Sequence, residues 1–368
     1  MKTVLTLCLV IITFLSNAQN IWVADNRPTA PGGAHVFGSV QEAIDASSAG
    51  DIIHIIPSQA LYADFTVTQD SITIFGIGYN PQKELPNKVT VNNVTIATGV
   101  FGVRVSGLII NGIFTISNSA GGSNGNIFLE NSDVNRILGN TQCCTMTNAS
   151  NIVIRNCIIG MRETSSVRVL DFIESYFSAT SVVVTNNIIS GSSSTSSGGY
   201  GSMDISDAII KNNLFLGNGT NDFAFSTVTT STISNNVFLG RDPSSDALTG
   251  DVSNSTYNNN TSFAASNNSF PIGQNGNSGD STFVNTDPLL LNVPIVDDWD
   301  FIYNPYPDSL GGSPLVDAGS DGTDIGVSGS TIPFSTTGTP LPIISVLNIP
   351  EIIKEGTDMN ATIEAKGN

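Results

Sequence analysis

One part of the chain concentrates arginines beside carboxylates, the side chains that acid–base chemistry on a polyanion would use. A uronate polymer is cleaved by elimination when one group neutralises the sugar carboxylate, a base removes the adjacent proton and an acid protonates the leaving oxygen. The same arginines have a structural interpretation, in which each pairs with a nearby carboxylate on the surface. The candidate catalytic residues are Arg136, Arg155, Arg162, Arg168, Glu163 and Asp171.

A Gly-rich loop further along carries three carboxylates, those of Asp317, Asp321 and Asp324. Carboxylate oxygens are hard ligands, and this spacing on a flexible loop suits Ca²⁺, although it is not the EF-hand pattern. Asp and Gly are also the residues of tight turns, so a turn without an ion explains the same sequence. We therefore expect either no cofactor or a Ca²⁺ ion held by these residues.

Beyond Cys8, the chain has three cysteines, an odd number that permits at most one disulfide. Adjacent cysteines rarely bond to each other, so in an oxidising compartment either Cys143 or Cys144 would pair with Cys157. The sequence equally fits Cys157 as a small buried hydrophobic residue.

The candidate catalytic side chains lie in a part of the chain that is built from sequence repeats. One seven-residue pattern, with aliphatic residues on both sides of a central asparagine, recurs without gaps at 154–160, 184–190, 210–216 and 233–239. Repeats of this length in a β-rich composition fit a solenoid with three short strands in each coil. A β-sandwich is the alternative, but its strands do not repeat one pattern at this period. The aligned asparagines, 23 to 30 residues apart, are Asn131, Asn156, Asn186, Asn212, Asn235 and Asn258.

We expect these asparagines to point inward and stack, because an amide ladder satisfies buried backbone groups that otherwise cost about 1–3 kcal/mol each. Aliphatic residues would also stack inside the tube, at positions 154, 184, 210 and 233 and again at 158, 188, 214 and 237. The residue before each asparagine would point outward. That outward column predicts a surface pair between Glu130 and Arg155.

A short amphipathic helix is predicted at the residues that follow Ser39. Ser39 is a capping residue with Glu42 three positions on, and Val40, Ala43 and Ile44 have helical spacing. An apolar face of this kind can cover the open end of a solenoid.

With the apolar segment 52–56 that follows, this helix resembles the opening of the pectin-lyase-like family of right-handed parallel β-helix proteins. Residues 313–319 and 324–326 resemble the closing coil of secreted members. The resemblance implies an all-β fold, a single-stranded right-handed parallel β-helix with an N-terminal capping helix. It also implies a groove for acidic polysaccharide, yet the G-H-G, R-I-K and W-x-D-H strings of family enzymes are absent. No catalytic set is recognisable, and the fold alone does not imply that the chain cleaves polysaccharide.

The ends of the chain and its charge complete the expected organisation. Residues 1–18 have the lysine, apolar run and small residues of an export signal cleaved after Ala18, which predicts a secreted, periplasmic or cell-surface protein. Residues 19–332 are the predicted β-helix, and 333–368 an extended tail.

No other stretch approaches the roughly 20 apolar residues of a membrane span. A net charge of −18 disfavours nucleic acid and anionic membranes as partners.

These observations favour a β-helix that presents a long face to a polysaccharide or a cell-surface glycan. The first alternative is a polysaccharide lyase or glycoside hydrolase acting on acidic polysaccharide, and the absent catalytic strings argue against it. The second is a structural or adhesive surface protein, which columns of Asn, Ser and Thr without aromatic residues would favour.

Overall fold

Parallel strands, stacked coil upon coil, build an all-β, right-handed parallel β-helix, as predicted. A computed structural model describes residues 19–28, 30, 32–78, 88–118, 122–141, 147–160, 169–172, 177–190, 203–219, 223–243, 252–280, 283–336, 343–348 and 362–366. The described part of the chain contains no helix long and apolar enough to cross a membrane.

A helix, α1 (Val40–Ala46), lies beside the first strands and buries Val40, Ala43 and Ile44. Its predicted capping box is present: the Ser39 side chain accepts a hydrogen bond from the Glu42 amide, and the Glu42 side chain accepts one from the Ser39 amide. The helix therefore caps the N-terminal end of the tube.

Within the described residues, the first sheet has twelve strands, and every pairing between them is parallel. In spatial order its strands are Val36–Phe37, Ile21–Ala24, Ile52–Ile55, Thr73–Phe75, Arg104–Ser106, Ser123–Glu130, Thr147–Arg155, Phe177–Thr185, Ala208–Lys211, Thr232–Ser234, Thr256–Asn258 and Ser278–Gly279.

The second sheet has fourteen parallel strands in the part of the chain that the structure describes, and it forms the remaining two sides of the tube. The two sides merge in the long strands Ile109–Asn118 and Asp133–Thr141, which pair with both sets of neighbours. One side contains Thr90–Val91, Ile158–Ile159, Ile188–Ile189, Leu214–Leu216, Val237–Leu239 and Thr261–Phe263. The other contains Phe65–Val67, Val94–Ile96, Leu170–Asp171, Met203–Ser206, Phe225–Thr229 and Val252–Ser253.

The stacked amides lie one residue later than expected. Inside the tube, Asn187 donates from Nδ2 to Asn213 Oδ1 at 3.0 Å, Asn213 to Asn236 at 2.9 Å, and Asn236 to Asn260 at 3.0 Å. The residues of the predicted ladder, Asn131, Asn156, Asn186, Asn212 and Asn235, instead have left-handed backbone conformations, with φ between 48° and 56°. Asn tolerates this conformation better than other side chains.

The predicted ladder position Asn258 is also displaced. Asn258 ends a strand in register with Ser234, so the left-handed column continues at Asn259, where φ is 50°. The repeat alignment chose Asn258 in place of Asn259 because these adjacent residues are both asparagine.

Only one of the two predicted aliphatic columns lies inside the tube. Positions 154, 184, 210 and 233 belong to the interior core, whereas 158, 188, 214 and 237 belong to a second apolar cluster. Side chains alternate across a strand, so the inward ladder residue Asn213 forces Leu214 outward and Phe215 inward. Phe215 and Phe238 stack inside with ring centroids 4.8 Å apart.

The C-terminal strap, residues 313–334, covers this outward cluster. It was predicted to close the tube as a last coil, but it runs along the outside, where Leu315, Ile325, Val327 and Phe334 are almost fully buried. An antiparallel pair, Leu290–Asn292 with Asn304–Pro307, precedes it. Within the predicted extended tail, Ile343–Asn348 pairs antiparallel with Thr362–Lys366.

The left-handed asparagines hold the strap. Asn186 Nδ2 donates to Val327 O at 3.0 Å and Gly329 O at 2.7 Å, and Asn212 Nδ2 donates to Gly326 O at 3.1 Å. Further along the tube, Asn235 accepts from the Ser320 amide and Asn259 donates to Ala318 O, each at 2.9 Å. The strap thus travels back toward the N-terminal coils as the chain proceeds.

Candidate functional site

The outward face of the first sheet carries two columns of side chains, one residue per coil in each. Strict parallel register aligns the columns along the tube axis. The first column contains Thr73, Arg104, Phe128, Val153, Val183 and Ile209, and the second contains Phe75, Ser106, Glu130, Arg155, Thr185 and Lys211.

Two arginines share one carboxylate in these columns. Arg104 Nη1 lies 2.7 Å from Glu130 Oε2, and Arg155 Nη2 lies 2.7 Å from Glu130 Oε1. The Arg104 contact is a hydrogen bond, whereas the Arg155 contact is an ion pair without hydrogen-bond geometry. The Glu130 side chain is 5% exposed, against 41% for Arg104 and 28% for Arg155. This group, the arginine cluster, therefore presents two guanidinium groups to solvent over one covered carboxylate.

Aromatic rings adjoin the arginine cluster. The Arg104 guanidinium lies 4.9 Å from the centroid of the Phe128 ring, within the range of a cation–π contact. Nearer the N-terminus, His54 and Phe75 stack with centroids 4.7 Å apart, and burial lowers the pKa of His54. The half-buried rings give this end of the face an apolar, aromatic character.

Beyond Phe128 the face becomes a shallow open groove of about 370 Å³. Its floor is the apolar part of the first column, where Ile209 is 47% exposed. Its rim is a second set of left-handed residues, Asn151, Ser181, Asp207 and Thr230. The first two interrupt the long strands Thr147–Arg155 and Phe177–Thr185, and the last two precede the strands Ala208–Lys211 and Thr232–Ser234.

The structure separates the predicted catalytic residues. Arg155 lies on the first sheet, whereas Arg136 and Asp171 lie on neighbouring strands of the second. Asp171 is in register with Asp204 one coil further on, and the two residues are 4% and 2% exposed. Arg162, Arg168 and Glu163 lie outside the described residues.

The carboxylates of the predicted Ca²⁺ loop hold the strap together. Asp321 Oδ2 pairs with Lys211 Nζ at 2.7 Å, and Asp321 Oδ1 accepts from the Thr323 hydroxyl. Asp324 accepts from the Asp317 amide at 3.0 Å and from the Ser328 hydroxyl at 2.9 Å. Within the described residues, no group of three His, Cys, Asp or Glu side chains is arranged to hold a metal ion.

Cys157 is a free thiol on the interior ladder column, so the structure follows the buried alternative and not the disulfide. Its amide donates to Asn187 Oδ1 at 2.9 Å, and its Sγ donates to the carbonyl of Arg155 at 3.2 Å. Burial raises the pKa of the thiol to about 12. Cys143 and Cys144 lie outside the described residues.

Sequence reasoning missed Arg104 and Phe128. The repeat alignment began at Asn131 because the preceding coil has Gly107, not asparagine, in the left-handed position, with φ of 76°. Glycine adopts this conformation freely. An alignment that allowed glycine there would have placed Arg104 and Phe128 in the same outward column.

Comparison with protein-family models finds no match, and no curated protein matches the chain. Among solved structures, the chain is similar to an alginate lyase from Paenibacillus sp. str. FPU-7, at 13% identity and a TM-score of 0.29. The similarity covers 67% of this chain and 94% of that chain. The parallel β-helix is established by the strand pairings, and membership of the pectin-lyase-like family stays a prediction.

Proposed function

We propose that this protein is a secreted β-helix repeat protein that binds a polysaccharide or cell-surface glycan through the outward face of its first sheet. The observation that carries the proposal is the arginine cluster beside Phe128. Two partly exposed guanidinium groups and an aromatic ring occupy adjacent coils of one face.

The chemistry of the cluster suits a hydroxyl-rich or carboxylated polymer. A guanidinium has five N–H donors, and the Glu130 contact of Arg104 uses one nitrogen, so other donors remain for ligand oxygens. The Phe128 ring offers an apolar surface against which the carbon face of a sugar ring can pack. Glu130 holds both arginines in place, which reduces the side-chain entropy lost when a ligand binds.

The geometry of the face suits a linear polymer. Its columns repeat at the strand spacing of roughly 4.8 Å, so a chain laid along the tube axis meets one coil after another. Individually weak contacts with successive coils add to one binding event, because each further contact is intramolecular once the first has formed.

The test is glycan affinity, measured by isothermal titration calorimetry on a panel of acidic and neutral polysaccharides. We expect Arg104→Ala and Phe128→Ala each to weaken binding by about tenfold or more. The matched control is Arg27→Ala, since Arg27 is also about 42% exposed and pairs with one carboxylate, that of Asp25, but lies away from the face. Equal affinity in wild type and Arg104→Ala would refute the proposal.

A second candidate function, cleavage of acidic polysaccharide, would use Asp171 and Asp204, which are in register on neighbouring coils and are 4% and 2% exposed. Glycosidases use two carboxylates that flank the scissile bond. On this candidate, the wild type releases reducing ends or unsaturated products, and both Asp171→Asn and Asp204→Asn abolish the release. Arg155→Ala distinguishes the two functions. It should weaken glycan binding at the first sheet without changing the rate of polysaccharide cleavage at the second sheet.

A further inference from the structure

Charge is unevenly distributed along the outward face of the first sheet. Among the described residues, the charged side chains of its two columns are those of Arg104, Glu130, Arg155 and Lys211. The first three form the arginine cluster, where two guanidinium groups share one carboxylate and leave an excess of positive charge. Lys211 lies two coils beyond Arg155, roughly 10 Å further along the tube axis.

Carboxylates border the coil of Lys211 on both sides. Asp321 of the strap pairs with Lys211 Nζ at 2.7 Å, so the strap neutralises this lysine. At the other edge of the same coil, Asp207 is exposed on the rim of the groove, where its Oδ2 accepts from the Ser181 amide at 3.4 Å. With two carboxylates and one ammonium group, this end of the face has an excess of negative charge.

We propose that the face recognises a largely neutral polysaccharide that carries widely spaced acidic groups, and that it disfavours a polymer with a carboxylate on every sugar. This inference names the ligand class of the proposed glycan binding and rests on it. One acidic group of the polymer lies at the arginine cluster, and neutral sugars lie over the coils that follow.

The spacing of the coils explains why a uniform polyanion is disfavoured. A sugar residue with its linkage is about as long as the coil spacing, so a polymer along the tube axis places about one sugar on each coil. In a uniform polyanion, carboxylates would therefore lie over the coils of Val183 and Ile209, close to Asp207 and Asp321. One coil spacing is shorter than the Debye length of about 8 Å at physiological ionic strength, so this repulsion is only partly screened.

The groove itself suits neutral sugars. Its floor contains the uncharged side chains of Val153, Val183 and Ile209, on which the carbon face of a sugar can pack. The Asp207 carboxylate on the rim is a hydrogen-bond acceptor, which a sugar hydroxyl can satisfy and an ionised carboxylate cannot. Discrimination therefore combines attraction for hydroxyl groups with repulsion of further acidic groups.

The charge of the whole chain acts in the same direction. A net charge of −18 repels a polyanion at a distance, and repulsion grows with the number of charges that the polymer carries. A polymer with few acidic groups meets less of this repulsion and still supplies the arginine cluster with one anion.

The experiment uses polygalacturonate, alginate and hyaluronate, each prepared with graded fractions of its carboxylates blocked as methyl esters. Within each series the backbone is constant, and only the spacing of free carboxylates changes. Isothermal titration calorimetry measures the affinity of the full chain for every preparation. We expect the affinity to be highest at an intermediate degree of esterification and to fall about threefold or more toward both the unesterified and the fully esterified polymer.

Two variants test the part played by the bordering carboxylates. Asp207→Asn and Asp321→Asn should each raise the affinity for the unesterified polymer about threefold or more, because each removes one repulsive charge. Asn also tolerates the left-handed backbone of Asp207, where φ is 51°. The matched control is Asp45→Asn, which removes an exposed carboxylate from α1, away from the face, and should leave the affinities unchanged.

Three results would overturn the inference: an affinity that rises steadily with the number of free carboxylates, tightest binding of the fully esterified polymer, or no difference between Asp45→Asn and the two bordering variants. Arg104→Ala shows whether the proposed function fails as well. Weaker binding in Arg104→Ala together with any of these results refutes only the preference for widely spaced acidic groups. Equal binding by wild type and Arg104→Ala, or binding of none of the polymers, refutes both.

Discussion

The side chains of Asn213 and Asn236 meet inside the tube, with Asn213 Nδ2 donating to Asn236 Oδ1 at 2.9 Å across one coil. Asn213 also donates to the carbonyls of Val184 and Lys211, at 2.8 and 3.0 Å. Its Oδ1 accepts from Asn187. A side chain that is 0% exposed thus satisfies groups in three consecutive coils.

Asn213→Ala should therefore destabilise the fold by about 1–3 kcal/mol, because it leaves buried donors and acceptors in neighbouring coils without partners. Asn258→Ala is the matched control, since Asn258 ends a strand and is only half-buried, and should cost under about 0.5 kcal/mol. Guanidinium unfolding followed by circular dichroism measures both. Equally small losses of stability in the two variants would contradict the prediction that the inner asparagine ladder stabilises the fold.

Gly329 leaves no room for a Cβ, which would collide with the Asp324 carbonyl of the strap itself and with Asn212 Nδ2 of the tube. Gly329→Ala should loosen the strap and cost about 1–3 kcal/mol, the range for overpacking. Hydrogen–deuterium exchange of the strap amides should accelerate in this variant before the inner coils do. Gly32→Ala is the control, since nothing lies within 4 Å of a Cβ at Gly32. Unchanged exchange in Gly329→Ala would show that the strap tolerates the extra methyl group.

The Lys211 and Asp321 pair should make strap stability depend on acid pH. The hydrogen bond from Lys211 is the chief cause that lowers the pKa of Asp321 to about 2. Because this pKa is below the unfolded value near 3.9, the stabilisation is present above about pH 4 and is lost as the pH falls toward 2. Partial exposure limits it to under about 1 kcal/mol. The difference in Tm between wild type and Asp321→Asn should be constant from pH 5 to 8 and shrink below pH 4.

A chelator tests the predicted Ca²⁺ site at Asp317, Asp321 and Asp324 directly. Since Asp321 and Asp324 already accept hydrogen bonds within the strap, we expect EDTA to leave the Tm of the wild type unchanged. A fall in Tm that is reversed by Ca²⁺ and absent in Asp321→Ala would establish the ion instead.

Cys157 should be inert in the native protein, because the thiolate is the reactive form and burial raises the pKa of this thiol to about 12. In a chain that starts at Gln19 and carries Cys143→Ser and Cys144→Ser, Ellman's reagent should react only after denaturant is added. Rapid labelling of the native protein would mean that the interior opens on the timescale of the reaction.

The sequence predicted the solenoid because its period and its parallel register are recorded in the repeats, and it predicted α1 because capping is a local property. Whether a given side chain points into or out of the tube was harder to predict from the sequence. Asn212 and Asn213 are chemically identical neighbours, and only the left-handed turn of the first decides which one enters the tube. The position of the strap could not be predicted, since its contacts with Asn186 and Asn212 join residues more than a hundred positions apart.

The direction of the strap has a consequence for how the chain is made. Coils that are synthesised first can stack on the α1 end as they emerge, but Ile188, Leu214 and Val237 stay uncovered until residues 315–334 exist. Until then the nascent solenoid displays a continuous apolar stripe that can recruit other chains. Ribosome pausing or truncation ahead of the strap should therefore yield aggregates from a molecule whose tube is already assembled.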